Sequence, residues 1–324
     1  MGLSKMEADM KKVHVFDLIH PRAVSLLQEQ AEMVGWEDPA VTDVSDADAI
    51  LVRTSKVPRE MIEKSRTLKV IAKHGVGTDN IDLVAAKERG VMVVFTPEAN
   101  MQSVAELVFC LLLAVARQVT EGDRALRAGS LRTMAPRNLS GLELSGKTLG
   151  LLGLGRIGQR VATIGKSGFN MRIVGYDPYL PDSEFTRLGI DKAVNLQTLL
   201  SLADFISISM PRTPETENII DETSLAMCKP NAILVNTSRG GLVDEEALFH
   251  ALQKGQIRGA ASDVFVTEPP AKDTPLLGLP NFIGTPHIGA ATEESLIRMG
   301  ETAAQDILRV LNGEKPLFPW PGFV

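Results

Sequence analysis

The sequence predicts an α/β protein built from two doubly wound parallel sheets. Three observations lead there. The first third alternates short apolar runs with helix-like segments. A strand-like run near the middle enters a glycine turn and then a helix. The same alternation resumes with that run and yields six further strands, the run included.

The elements follow in order. Val13–Phe16 is a strand, and a helix opens after Pro21, a residue suited to a first helical position. Ala49–Val52 and Lys69–Ala72 are strands, followed by helices over Pro58–Ser65 and Leu83–Arg89, and Val91–Val94 is a fourth strand. A long helical pattern from Asn100 to Arg127 is apolar on most sides in its first half, which predicts burial between domains. The strands behind it end near Gly153, Asp177, Ser209, Asn236, Asp263 and Gly284, as in two mononucleotide-binding halves. A last helical pattern, Thr292–Asn312, has no strand partner there, so the chain is expected to return to its first domain. The expected division is 1–102 with 289–324, and 103–288.

Gly153, Gly155 and Gly158 stand where a dinucleotide-binding turn needs them. The first permits the tight turn, the second lets backbone approach a pyrophosphate, and the third lets the helix pack on its strand. Arg156 and Ile157 open the helix, whose N-terminal amides favour phosphate. Asp177 ends the next strand, where an acid accepts hydrogen bonds from the adenosine ribose and repels a 2′-phosphate, which points to NAD. A glycine-rich turn of some other α/β protein is the plainer alternative.

Bulk properties exclude other classes. The 324 residues carry a net charge of −6, which argues against a general nucleic-acid or membrane surface. Cys110 and Cys228 lack metal-ligand or redox spacing and read as reduced, mostly buried thiols; no metal is expected. Met1–Lys12 is polar, reads as a frayed tail and not a secretory signal, and supports a cytoplasmic protein. The longest apolar stretch, Leu107–Ala116, is too short to span a bilayer.

Arg239, Glu268 and His287 each follow a strand of the second half, where the carboxyl ends line a ligand crevice. Arg239 offers a planar fork for the carboxylate of a 2-oxo acid. His287 can give a proton to the carbonyl oxygen as hydride arrives at carbon, and take it back in oxidation. Glu268 would hold the imidazole's orientation. Taken singly, each has a plainer role: a surface ion pair, a solvated turn residue, a loop cap.

These residues resemble the D-isomer-specific 2-hydroxyacid dehydrogenases, above all their D-3-phosphoglycerate dehydrogenase-like branch. The matching motifs are 152–158, 236–244, Asp263–Phe265 with Glu268–Pro270, and Thr285–Ala290. Val52–Thr54 and Gly75–Asp82 match earlier in the chain. The resemblance implies Arg239, Glu268 and His287 as the catalytic set. It places Gly153, Gly155, Arg156, Ile157, Gly158, Asp177, Thr237, Ser238, Arg239, Asp263 and the His287–Ala290 turn, with Gly289 and Ala290, around NAD. It implies that Arg53, Gly75 and Val76, with Arg239, face a small anionic 2-hydroxy or 2-oxo acid in an interdomain cleft. It also implies a homodimer through the long helix after Asn100.

Two departures stand out. Lys73-His74-Gly75 replaces the Arg-Ala-Gly common in phosphoglycerate dehydrogenases, and His74 reads equally as a packed loop residue or a substrate contact. The chain also stops at Val324, which sets aside a C-terminal regulatory domain and leaves the substrate open among 3-phosphoglycerate, glyoxylate, hydroxypyruvate and other 2-hydroxy acids. The alternative from another class is an NAD(H)-sensing binding protein similar to dehydrogenase-related corepressors. A formate dehydrogenase-like enzyme ranks below both, because that family has Gln where this chain has Glu268.

Overall fold

The computed structural model describes residues 10–323. Of the stretch expected to fray, residues 1–9 lie outside the described residues, whereas Lys12 opens the first strand. The chain forms two compact units, Met1–Asn100 with Ala290–Val324, and Met101–Gly289.

In the first unit, β1 (Lys12–Val15), β2 (Glu32–Val34), β3 (Ala49–Val52), β4 (Val70–Lys73) and β5 (Met92–Val94) form one sheet in the order β2-β1-β3-β4-β5. Every pairing is parallel. β3 and β4 are buried along their whole length, as strands inside a parallel sheet should be, β4 ending in the buried Lys73. β2 had no counterpart in the sequence reading: three residues on a sheet edge are too few to show a period. Helices α1 (Pro21–Gln28), α2 (Arg59–Lys64) and α3 (Leu83–Glu88) cover the faces.

The second unit opens with α4 (Met101–Ala116) and α5 (Val119–Arg127), where one continuous helix was expected. The two are bent by 58° at Gln118, whose φ of 52° is left-handed. The break has local compensation, since the Leu142 amide donates to the carbonyl of Ala116 and Gln118 Nε2 donates to that of Ser140. α4 buries Val108, Phe109, Leu112 and Val115 against α6, β10 and β11 of its own unit, defined below, and that burial explains its apolarity. Glu106, Cys110 and Arg117 lie on its other side, so Cys110, expected buried, is exposed. Cys228 is partly buried, and burial pushes its thiol up to about 11. α5 buries none of its residues. No single helix among the described residues is long and apolar enough to cross a membrane.

The remaining elements are β6 (Thr148–Leu152), α6 (Arg156–Phe169), β7 (Arg172–Tyr176), α7 (Asp182–Leu188), β8 (Asp191–Lys192), α8 (Leu196–Leu202), β9 (Phe205–Ile208), α9 (Glu222–Ala226), β10 (Ile233–Asn236), α10 (Glu245–Gln253), β11 (Gly259–Ser262) and β12 (Phe282–Gly284). Their parallel sheet runs β12-β11-β10-β9-β6-β7-β8. The order reverses between β6 and β9, and ligands of open α/β sheets bind outside the strand carboxyl ends at such a point. Six strands were expected. The seventh, β8, is an exposed Asp-Lys pair with no pattern to betray it. α11 (Glu293–Leu311) then belongs to the first unit and packs on α1 and β4, burying Ala303, Ala304, Ile307 and Leu308.

Candidate active site

The glycine turn leaves β6 at its carboxyl end. Gly153 has φ +88°, and a Cβ there would come within 2.5 Å of the Ser209 carbonyl oxygen. A Cβ on Gly158 would stand 2.3 Å from the Gly153 oxygen, so α6 packs against its own turn only with glycine at that position. Gly155 is different: a Cβ there would meet nothing within 4 Å, so the space over the turn is open to a ligand. No side chain caps α6, where Arg156 and Ile157 form the first turn. Asp177 follows β7. Its Oδ2 accepts from the Leu154 amide at 2.9 Å and its Oδ1 from the Tyr179 amide at 3.0 Å, so it also shapes the turn.

Thr237 follows β10 with its Oγ1 buried and without a hydrogen-bond partner among the described residues. Ser238 is engaged: its hydroxyl donates to the Met210 carbonyl at 2.5 Å and its amide to Asn236 Oδ1 at 3.0 Å. The open cradle at Gly155, the uncapped helix and the orphaned Thr237 hydroxyl fit a nicotinamide dinucleotide, which would supply hydrogen-bond partners there.

The ionisable candidates stand at the carboxyl ends of β10, β11 and β12. His287 Nδ1 and Glu268 Oε2 are 2.7 Å apart, and both side chains are solvent-accessible. The other Glu268 oxygen accepts from the Phe265 amide at 3.1 Å, which fixes the carboxylate plane. The Val266 amide donates to Glu245 at the start of α10, tying the same loop down. His287 has φ +53°, an uncommon conformation for a non-glycine residue, of the kind that concentrates at functional sites.

Asp263 holds that turn. It is 1% exposed and accepts from Thr285 Oγ1 at 2.6 Å and from the amides of Ile288 and Gly289, each at 2.8 Å. Its carbonyl accepts from the His287 amide at 2.9 Å. Arg239 donates from Nη1 to the Ser238 carbonyl at 2.7 Å, and its own carbonyl accepts from Asn236 Nδ2. Thus Glu268 and His287 are in direct contact, while Arg239 is anchored through the loop after the adjoining strand.

In the first unit, Arg53 follows β3 and Val76 lies in the glycine loop after β4; both are half-buried. Gly75 has φ +140° and exchanges hydrogen bonds with Thr96 through its amide and its carbonyl. The His74 ring is 2% exposed and neither nitrogen has a hydrogen-bond partner among the described residues, a packed position. Burial, aided by the Arg53 charge, lowers its pKa to about 4. Sequence reasoning passed over Asp17, Thr96 and Glu245. For Asp17 a signal existed: an acid immediately after the first strand, on the edge where ligands bind.

The chain is similar to known proteins along nearly its whole length. The family profile described as "D-isomer specific 2-hydroxyacid dehydrogenase, NAD binding domain" matches residues 109–289. The chain is 46% identical to a D-3-phosphoglycerate dehydrogenase of Methanocaldococcus jannaschii over 94% of its length, but spans 58% of that protein. It is 40% identical to a hydroxypyruvate reductase of Thermotoga maritima, covering 93% of this chain and 98% of that one. A glyoxylate/hydroxypyruvate reductase of Sinorhizobium meliloti, solved with NADP and malonate, superposes with a TM-score of 0.86 at 30% identity, covering 97% of each chain. With this profile over its nicotinamide-binding unit and such relatives along nearly its whole length, the chain belongs to the D-isomer-specific 2-hydroxyacid dehydrogenases.

Proposed function

We propose that the protein interconverts a D-2-hydroxy acid and its 2-oxo acid with NAD, with Arg239, Glu268 and His287 as the catalytic set. The observation that carries this is the 2.7 Å Glu268–His287 contact at the edge of a dinucleotide-binding sheet. With Nδ1 facing the carboxylate, Nε2 is the ring nitrogen that exchanges a proton with substrate. In the reducing direction it protonates the carbonyl oxygen as negative charge builds there; in oxidation it takes the hydroxyl proton. Glu268 keeps the ring in that orientation and balances its charge when protonated. Arg239 takes the substrate carboxylate in a two-pronged contact and aligns the neighbouring carbonyl. The nicotinamide, when bound, supplies or accepts the hydride. Arg53, Gly75 and Val76 are further substrate-binding residues in this reading.

Asp177 favours NAD over NADP in this reading, because a 2′-phosphate beside its carboxylate meets like charge. A homodimer formed through the helix after Asn100 is supported by α5, which buries nothing, and by exposed Val119, Leu126 and Met134 in and after it. Two unpaired cysteines favour a cytoplasmic setting.

The test is a panel of 2-oxo acids, including glyoxylate, hydroxypyruvate and its phosphate ester, assayed with NADH and NADPH. Turnover of at least one with NADH preferred is the expected outcome. No turnover across the panel sinks the dehydrogenase reading, and a preference for NADPH sinks the role given to Asp177.

A further inference from the structure

The loop that presents Arg53 is held from two sides by groups outside the proposed catalytic set. Asp17, which follows β1, faces the loop from one side. Its Oδ2 accepts from the amides of Arg53 at 2.6 Å, Thr54 at 3.1 Å and Ser55 at 3.1 Å. Its Oδ1 accepts from the hydroxyls of Thr54 at 2.8 Å and Ser55 at 2.9 Å. Three successive amides and two hydroxyls converging on one anion form a nest, the kind of concavity that elsewhere binds a free carboxylate or phosphate. Here the chain's own carboxylate fills it. Burial alone would raise the Asp17 pKa, but the Arg53 and Ser55 amides and the two hydroxyls outweigh it and hold the group below its ordinary value.

Lys73, at the end of β4, faces the loop from the other side. Its ammonium donates to the Arg53 carbonyl and to Asn80 Oδ1, both at 2.6 Å. Asn80 Nδ2 in turn donates to the Ser55 carbonyl at 2.6 Å. Lys73 is 9% exposed, so its charge is spent inside the unit and is not offered to a ligand. The amides of residues 53–55 and the carbonyls of Arg53 and Ser55 are therefore all engaged, and the guanidinium is what the loop retains for an incoming anion.

We propose that Asp17, Lys73 and Asn80 are positioning residues that lock the Arg53 loop, and that Asp17 closes the loop's amide nest to anions so that an anionic group of the substrate is taken by the Arg53 guanidinium. The second clause rests on the dehydrogenase reading, because it is that reading which puts Arg53 beside substrate. The lock itself does not. The consequence is selectivity by position: a planar fork on a fixed backbone takes a carboxylate or phosphate at one place and angle, whereas an open nest accepts any small oxyanion.

The experiment compares wild type with Asp17→Asn, Asp17→Ala, Lys73→Met and Lys73→Arg. Without ligand, amide exchange over residues 53–57 should accelerate roughly tenfold in Asp17→Asn and Lys73→Met, since local opening follows the bonds that close it. With the best 2-oxo acid, KM should rise at least about fivefold in both, with kcat nearly unchanged and NADH affinity retained, as misplacing a binding group predicts. Lys73→Arg, which keeps the donors, should restore KM. Asp17→Ala empties the nest and should bind inorganic phosphate, seen by phosphorus NMR and as competition with the 2-oxo acid, where wild type shows neither. Unchanged exchange and KM in Asp17→Asn and Lys73→Met overturn the lock. Loss of NADH affinity and thermal stability in step with KM also overturns it, as that is the mark of a general structural role. No phosphate binding by folded Asp17→Ala overturns the nest, and if that variant does not fold, wild-type KM in Asp17→Asn does so. A wild type without turnover defeats the dehydrogenase reading alone, since exchange and phosphate binding still decide the lock.

Discussion

In the proposed mechanism His287 carries two burdens at once: it must present Nε2 to substrate and keep Nδ1 on Glu268, from a backbone with φ +53°. We expect His287→Gln to lower kcat by about 10²- to 10⁴-fold, the usual worth of a general acid–base group, with NADH affinity intact by fluorescence titration. Near-normal kcat would remove the histidine from proton transfer. Arg239→Lys keeps the charge but loses the fork; KM for the 2-oxo acid should rise by roughly tenfold or more, and an unchanged KM would contradict carboxylate binding. His74 makes a prediction about pH. Its pKa is lowered to about 4, so the unfolded chain takes up this proton first as pH falls. The contribution is complete above pH 6.5 and lost between 6.5 and 4, to the extent of about 3 kcal/mol. Denaturant titrations of His74→Ala should show a flatter dependence over that window; an equal slope would mean that other groups dominate. Arg239, Glu268 and His287 were legible as residue types after strands. The His74 ambiguity was not resolvable from sequence, because a loop histidine's burial depends on which helix covers it.

At the level of elements, the apolar runs ending at Leu152, Tyr176, Ile208, Asn236, Ser262 and Gly284 were readable because buried parallel strands need continuous apolar sequence. Short polar edges such as β8 left no such mark. The α4–α5 break was also invisible: Gln118 is no helix breaker by type, and its left-handed turn is stabilised by Ser140 and Leu142 some twenty residues on. The β6–α6 turn yields a sharp prediction. Gly158→Ala places a methyl 2.3 Å from the Gly153 oxygen, so the helix must back away from its strand. We expect a cost of about 1–3 kcal/mol in folding, typical of overpacking, and weaker NADH binding because the turn moves. Unchanged melting and NADH affinity would show that the turn tolerates the added carbon.

At the level of the molecule, the proposed nicotinamide-binding residues lie within Met101–Gly289 except Ala290, while the Arg53 and Gly75 loops lie in the other unit. Ligation of NADH alone should therefore protect amides mainly in residues 101–289, and raise stability by about 2.7 kcal/mol at a hundredfold excess over Kd. Hydrogen exchange checks this; equal protection in both units would mean that cofactor binding orders the whole chain. The sequence by itself determined the α/β class, the glycine turn and the candidate residues for the chemistry, because these rest on local periodicity and fixed spacing. Only the tertiary structure decided what Asp17 and Asp263 do. Asp263 holds the His287 turn across a separation of about 25 residues, and Asp17 fills the Arg53 nest from 36 residues away. Such hydrogen bonds join backbone amides that every residue possesses, so they leave no pattern in the sequence and exist only once the strands lie side by side.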